Sequence, residues 1–296
     1  MRWLVTGASG FTGGYLLEAL RGRGDEAITL GRSAMNSVRC DLTDRAGLAA
    51  AVRQARPDRV VHLAAVASVA HPASGDFQLV NVAGTENLLA ACGALPSPPV
   101  VALASSSNVY GIHAGIITED AATAPVSDYG RSKLAMEAEA RRWAGRLPIL
   151  LARPFNYTGP GQSEQYLVAK IAAHFRRREA RLTLGDLQVL RDFSDVRDIV
   201  EDYLALMDRH EGPLEVVNLC GGVGTSIAAL LHAFSELTGC RPEIAQDPAL
   251  LRRQEIPVLV GDPTKLVRLS GRAHRRPLAD TLAAMLDPAN SRPLRL

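Results

Sequence analysis

The feature that most constrains this chain is its opening. A short, mostly apolar run, Arg2-Trp3-Leu4-Val5, passes straight into Thr6-Gly7-Ala8-Ser9-Gly10-Phe11-Thr12-Gly13. A helical pattern follows, with Tyr15, Leu16, Leu17 and Leu20 apolar, and fades near Gly22 and Gly24. Strand, glycine turn, helix is the setting in which such glycines acquire chemical meaning. Gly7 permits the tight turn, Gly10 lets backbone approach a pyrophosphate, and Gly13 allows close packing of helix on sheet. The helix start then faces the phosphates with unpaired N–H groups and a partial positive charge. A dinucleotide is therefore expected over Gly7, Gly10, Phe11, Thr12 and Gly13.

The next strand, 27–30, ends at Gly31-Arg32-Ser33. A carboxylate here would grip the ribose hydroxyls of NAD; a cation suits the 2′-phosphate of NADP. Arg32 therefore favours NADP(H), with NAD(H) left open. Val38-Arg39-Cys40-Asp41-Leu42-Thr43-Asp44 reads as a short strand entering a capped helix, with Thr43 or Asp44 as the cap. Asp41 either faces the adenine amino group or serves the turn. In the buried strand 60–65, the small residues after Leu63, Ala64 and Ala65, leave room for cofactor, and His62 reads as a satisfied strand histidine.

Helix 81–94 and the all-apolar strand 100–104 continue the alternation, then a helix from Tyr129 to about Trp143 and a strand at 147–153. Uninterrupted apolar strands alternating with helices imply an α/β fold built on a doubly wound parallel sheet of the Rossmann type. In such sheets ligands lie beyond the carboxyl ends of the strands. Helices are expected at 164–181, 195–207 and 227–237, and strand 214–219 is expected to rejoin the sheet. The rest of the C-terminal stretch reads as basic loops. Residues 1–155, with 194–224 returning, are expected to hold the cofactor. Residues 156–193 and 225–296 are expected to form a smaller substrate-binding domain.

Strand 100–104 opens into Ser105-Ser106-Ser107-Asn108-Val109-Tyr110, and the next helix carries Tyr129-Gly130-Arg131-Ser132-Lys133. Residues four apart share a helix face. An ammonium beside a phenol favours the phenolate, so Lys133 is expected to lower the Tyr129 pKa and let it exchange a proton near neutral pH.

Composition narrows the class. The chain has 296 residues, 47% of them hydrophobic, and a formal net charge of +2. Such a balance carries no bias toward nucleic acid or membrane. The longest apolar stretch, 59–70, contains His62 and is too short to span a bilayer. No signal-peptide layout is visible at the start. Cys40, Cys92, Cys220 and Cys240 lack metal or disulfide spacing, which suggests reduced cysteines and a cytoplasmic setting, with no metal.

Taken together, TGASGFTG, DLTD, HLAA, SSSNVYG, YGRSK and ARPFN resemble the extended short-chain dehydrogenase/reductase family, in its order and spacing. The resemblance implies a catalytic trio of Ser106, Tyr129 and Lys133, and adds Asp41, Leu42, Leu63 and Pro154 to the residues near the cofactor. In the second half, RPFNYTGPGQ (153–162), GDLQVLRDFSDVRDIV (185–200) and RRQEIPVLVGDPTKL (252–266) look like the branch that handles GDP-sugars. That likeness implies substrate contacts at Ser106, Ser107, Asn108, Asn156, Arg191, Arg252 and Glu255. It is similar to the reductases of GDP-4-keto-6-deoxy-D-mannose, which implies a GDP-linked 4-keto-6-deoxyhexose as substrate and a homodimer. Neither Ser107 nor Asn108 can serve as the acid that a dehydratase needs after its serine. An epimerase that retains its nicotinamide, a reductase of another nucleotide sugar, and a non-catalytic NADP(H) sensor are the rival readings. One departure from the branch is Gly271-Arg272-Ala273-His274-Arg275-Arg276-Pro277, where a Gly-Trp-Lys-Pro-like segment is usual.

Overall fold

The computed structural model describes residues 1–66, 76–250, 255–273, 275–287 and 289. The chain opens with β1 (Arg2–Thr6), α1 (Phe11–Gly22), β2 (Glu26–Gly31), β3 (Val38–Arg39), α2 (Arg45–Ala55) and β4 (Arg59–His62). A π-helical segment, Phe77–Ala83, leads into α3 (Gly84–Gly93). Then come β5 (Val100–Ala104), β6 (Ile116–Ile117), α4 (Asp128–Trp143), β7 (Ile149–Pro154) and β8 (Asn156–Thr158). The second half runs α5 (Leu167–Arg177), β9 (Arg181–Leu184), β10 (Leu190–Asp195), α6 (Val196–Arg209) and β11 (Leu214–Leu219). It ends with β12 (Gly224–Ser226), α7 (Ile227–Thr238), β13 (Glu243–Gln246), β14 (Val258–Gly261), α8 (Thr264–Ser270) and α9 (Leu278–Leu286).

Seven strands form one sheet in the order β11-β7-β5-β4-β1-β2-β3, every pair parallel. The side-chain alternation of β1 shows why both faces are covered. Trp3 and Val5 pack with Leu16 and Leu20 of α1 and with Ile199 and Tyr203 of α6. Leu4 points the other way, among Leu48 of α2, Leu88 of α3 and Met136 of α4. The order reverses at β1/β4, which places a crevice at the carboxyl ends of these strands. Strand 214–219 joins the edge, with Leu214 opposite Ile149 and Leu219 opposite Pro154.

The remaining elements build a second layer over that crevice. β12, β10, β14 and β6 form a small sheet, β8 pairs with β10, and β13 pairs with β9. Helices α5, α7 and α9 bury Phe175, Phe234 and Leu282 in a core of their own. The helix expected over 164–181 is shorter and stops at Arg177. Arg178 turns left-handed (φ 51°), and the chain enters β9. The C-terminal stretch expected to be loops holds β13, β14, α8 and α9. Their runs of four to nine residues are too short to show a clear period.

Candidate active site

Backbone closeness shapes the glycine turn. Gly7 has φ +72°, and a Cβ there would sit 2.6 Å from the Ala64 nitrogen and 2.8 Å from the Leu63 carbonyl carbon. A Cβ on Gly13 would fall 2.4 Å from the Gly7 oxygen. Thr6 binds the opposing segment: its carbonyl accepts from Leu63 N at 3.2 Å, and its Oγ1 from Ala64 N at 3.2 Å. Gly10 begins α1 without a capping side chain, so the first N–H groups are free to face an anion. A Cβ-free cradle at an uncapped helix start fits a dinucleotide pyrophosphate. Phe11 and Thr12 extend from it toward β8: Phe11 stacks on Tyr157 with centroids 6.3 Å apart, and Thr12 Oγ1 lies 2.8 Å from Tyr157 Oη.

Arg32 is exposed at the end of β2. With Arg39, Asp41 and Asp44 it lines a cavity of about 590 Å³. Asp41 serves the turn, because its Oδ1 accepts from Thr43 N at 2.9 Å and Thr43 Oγ1 at 2.8 Å. Those bonds hold its carboxyl below the usual range. Asp44 rather than Thr43 caps α2, accepting from Gly47 N at 3.0 Å. Leu42 is buried beside Gly84, Ala65 follows β4 half-buried, and Pro154 closes β7. His62 is satisfied on both ring nitrogens, by Thr6 Oγ1 at 2.7 Å and Thr85 Oγ1 at 3.0 Å. Burial, then the nearby Lys133 charge, pushes its pKa down to about 3.

Ser106, Tyr129 and Lys133 come together where β5 ends. Ser106 caps a single 3₁₀ turn, Ser107–Val109, and its Oγ accepts from Asn108 N at 3.2 Å and Asn108 Nδ2 at 3.0 Å. With both acceptor positions filled, the hydroxyl hydrogen remains for donation, and its partner within the protein is Tyr129. The α4 helix begins at Ser127, whose Oγ accepts from Gly130 N at 3.1 Å. Gly130 brings that helix onto the serine turn, since a Cβ would lie 2.6 Å from Asn108 O. Lys133, buried, donates from Nζ to Ala104 O at 2.7 Å and lies 5.8 Å from the centre of the Tyr129 ring.

The electrostatics differ from the expectation. Burial, with the neighbouring Tyr157 and Tyr166 phenols, raises the Tyr129 pKa, and the opposing pull is a hydrogen bond with Ser106 rather than Lys133. The ammonium is lodged on a carbonyl, and its own pKa is pushed down to about 8 by burial, with Glu137 resisting.

On the facing layer, Asn156 lies in β8 and its Nδ2 is buried without a partner. Arg191, in β10, donates to Leu190 O at 2.9 Å and to Glu255 Oε1 at 2.5 Å. Arg252 lies outside the described residues. Arg272, Arg275 and Arg276, from the stretch where the chain departs from its branch, are tied to α6. Arg275 Nη1 meets Asp202 Oδ2 at 2.5 Å, Arg276 Nη2 meets Glu201 Oε1 at 2.7 Å, and Arg272 Nε meets Asp202 Oδ1 at 3.3 Å.

Several supporting residues escaped the sequence reading. Asn81, in the π-helical segment, accepts from Val66 N at 2.8 Å and donates to Val66 O and Ser132 Oγ, and Ser132 in turn donates to Tyr129 O. Glu137, buried on α4, takes Ser105 Oγ at 2.6 Å and Arg153 Nη2 at 2.6 Å. Asn81 carried one usable signal, a polar residue inside a largely apolar stretch, whereas Glu137 sits among other charged residues and carried none. Among the described residues no helix is long and apolar enough to cross a membrane, and no acidic, His or Cys cluster could hold a metal.

Comparison with known proteins agrees with this geometry. The model of the NAD-dependent epimerase/dehydratase family matches residues 3–220. The chain is 32% identical over 277 residues to GDP-6-deoxy-D-talose 4-dehydrogenase of Aggregatibacter actinomycetemcomitans, covering 93% of each. It is 33% identical over 248 residues to GDP-6-deoxy-D-mannose reductase of Pseudomonas aeruginosa, covering 80% of this chain and 81% of that one. The structure of RMD from Pseudomonas aeruginosa complexed with NADPH superposes with a TM-score of 0.84 at 31% identity, over 97% of this chain and 96% of that one. The glycine cradle, the Ser106–Tyr129–Lys133 cluster and these matches agree: the chain belongs to the NAD-dependent epimerase/dehydratase family of extended, NAD(P)-dependent short-chain dehydrogenases/reductases.

Proposed function

We propose that this enzyme reduces the C4 ketone of a GDP-linked 4-keto-6-deoxyhexose with NADPH. The observation that carries the reading is the meeting of Ser106, Tyr129 and Lys133 beside the glycine cradle. When bound, the dinucleotide supplies the hydride. Ser106, its oxygen held by Asn108, donates its hydroxyl hydrogen to the ketone oxygen and stabilises the charge that develops there. Tyr129 is protonated at neutral pH and gives its proton to the alkoxide. Lys133 holds the nicotinamide ribose. Arg32 favours NADPH through the 2′-phosphate, with Asp41, Leu42, Leu63, Ala64, Ala65 and Pro154 around the rest of the cofactor.

Asn156 and Arg191 are assigned to the diphosphate, Arg252 and Glu255 to the guanosine, and Ser107 and Asn108 to the wall of the sugar pocket. The orphaned amide of Asn156 and the mostly buried guanidinium of Arg191 support this assignment. Residues 1–155 and 194–224 then hold the cofactor, and 156–193 with 225–296 hold the nucleotide sugar. The product is GDP-D-rhamnose or GDP-6-deoxy-D-talose, according to the face of the hexose turned to the nicotinamide. A cytoplasmic homodimer packed through α3 and α4 completes the reading.

The test is NADPH oxidation with GDP-4-keto-6-deoxy-D-mannose, made in situ from GDP-mannose by a separate dehydratase, followed by sugar analysis. Loss of reduced-nicotinamide absorbance that Tyr129→Phe abolishes is the expected result. Full turnover by the Phe variant, or none by the native chain with either nicotinamide, sinks the reading.

A further inference from the structure

Beneath the Ser106–Tyr129–Lys133 cluster lies a buried polar chain that the reaction scheme leaves unused. Glu137 is one helical turn beyond Lys133 and two beyond Tyr129, on the same face of α4. Its carboxylate is fully buried. Oε1 accepts from Ser105 Oγ at 2.6 Å and from Arg153 Nε at 2.8 Å, and Oε2 accepts from Arg153 Nη2 at 2.6 Å and, at the helix surface, from Arg141 Nη2 at 3.2 Å. Ser105 precedes Ser106 in the chain. Arg153, in β7, also donates to Tyr110 Oη at 2.9 Å, and Tyr110 donates to Asn218 Oδ1 of β11 at 2.6 Å. One carboxylate thus ties the serine turn, the Tyr129 helix and two strands.

A buried ion pair is a poor means of gaining stability, because desolvation offsets most of the attraction. Its geometry here suggests another use. We propose that Glu137 is a positioning residue: held by the bidentate Arg153, it clamps the serine turn to α4 through Ser105 and supplies the buried negative charge that accompanies Lys133. The proposal rests on the reading of Ser106, Tyr129 and Lys133 given above. Among the described residues, the groups facing Lys133 are Tyr129 and Glu137 on its own helix, the Ala104 carbonyl from β5 and His62 from β4. His62 is neutral, so Glu137 is the one negative charge among them. The direction of the Lys133 shift agrees, since burial lowers its pKa and Glu137 opposes the fall.

The sequence holds three lysines, Lys133, Lys170 and Lys265, so a protein labelled with ¹³C at lysine Cε reports Lys133 directly, identified by its loss in Lys133→Met. In Glu137→Gln the Lys133 midpoint is expected to fall by about one pH unit or more. Lys170 and Lys265 serve as unmoved references. An unmoved Lys133 midpoint overturns the proposal. Ser105→Ala is the second variant and decides if Glu137→Gln does not fold. It leaves the ion pair intact and cuts only the tie to the serine turn. Its kcat is expected to fall about tenfold with KM values near native, by analogy with other losses of catalytic alignment. A native kcat in Ser105→Ala overturns the clamp. Failure of the native chain to turn over any GDP-linked ketosugar defeats the functional reading alone, because the lysine titration needs no substrate.

Discussion

The hydroxyls of Thr12 and Tyr157 meet at 2.8 Å, although 145 positions separate them in sequence. Thr12 stands in the first turn of α1, beside the glycine cradle, and Tyr157 in the strand that leaves the parallel sheet. Tyr15 Oη repeats the link one turn on, donating to Pro160 O at 2.8 Å. Strand β8, which carries Asn156, is therefore fastened to the start of α1. Removing either hydroxyl, as Thr12→Val or Tyr157→Phe, is expected to cost about 1 kcal/mol of stability. The double variant should be less destabilised than the sum, leaving a coupling of about 0.5–1 kcal/mol in a urea-denaturation cycle. Strict additivity would mean that the contact carries no energy.

Two glycines of the same turn-and-helix unit should answer oppositely to alanine. Gly7 is left-handed, and its Cβ position is filled by Ala64 backbone, whereas nothing lies within 4 Å of Gly22. Gly7→Ala is expected to lower Tm and to weaken NADPH binding by at least about tenfold, since strain of about 1–2 kcal/mol adds to a backbone clash. Gly22→Ala, near the C-terminal end of α1, is expected to leave binding unchanged and to stabilise by up to about 1 kcal/mol. Fluorescence titration and thermal melts read both.

The contrast between these glycines marks how far the sequence could be read. Gly7, Gly13, Tyr129 and Lys133 stood out because each belongs to a local pattern whose spacing dictates one geometry, whereas Ser106 entered only through the family resemblance. The parallel strands were visible because burial on both faces makes them continuously apolar. Glu137 and Arg153 were not, since 16 positions separate them and neither residue type announces a partner. The end of α5 was also hidden: a left-handed Arg178 replaces the glycine that usually marks such a cap. The three arginines of 271–277 read as basic loop because the carboxylates that neutralise them lie some seventy residues earlier, on α6.

The proposed NADPH preference turns on Arg32. It is exposed, beside the Asp41 turn, at the end of the strand where NAD-dependent relatives of this fold place a carboxylate. Arg32→Asp is expected to lower kcat/KM for NADPH by at least about tenfold and to raise it for NADH, through loss of a charge-assisted phosphate contact. Steady-state kinetics with the two coenzymes measure the ratio. An unchanged ratio would remove Arg32 from the cofactor site.

Asp195 sets the acid limit of one helix. It caps α6, is 2% exposed, and accepts from Arg197 N at 2.7 Å, Arg197 Nη2 at 2.6 Å and Thr281 Oγ1 at 2.7 Å. Burial raises its pKa, but the Arg197 and Thr281 hydrogen bonds prevail and hold it below the ordinary 3.8. A carboxyl whose folded pKa is depressed stabilises fully above its unfolded value and loses that contribution as pH falls through the folded one. Asp195→Asn is expected to cost about 1–3 kcal/mol at pH 7. The gap to the native chain should narrow as pH drops below 3.8. Urea melts at pH 7, 4 and 3 follow it, and a pH-independent gap would refute the assignment.

Arg191 and Glu255 offer the sharpest test of the substrate side. Their 2.5 Å contact joins β10 to the segment before β14, and both side chains keep part of their surface open, 12% and 27%. A guanidinium already oriented by a carboxylate and by the Leu190 carbonyl loses little freedom when a diphosphate arrives. Arg191→Ala is then expected to raise KM for the GDP-sugar about ten- to a hundredfold, the worth of charge-assisted hydrogen bonds, with kcat and the NADPH KM near native. Glu255→Gln should instead narrow the preference for GDP- over UDP-linked substrates, because a guanine N–H pair recognises a carboxylate better than an amide. A fall in kcat for Arg191→Ala at unchanged KM would place this pair in the support of the fold rather than against the nucleotide.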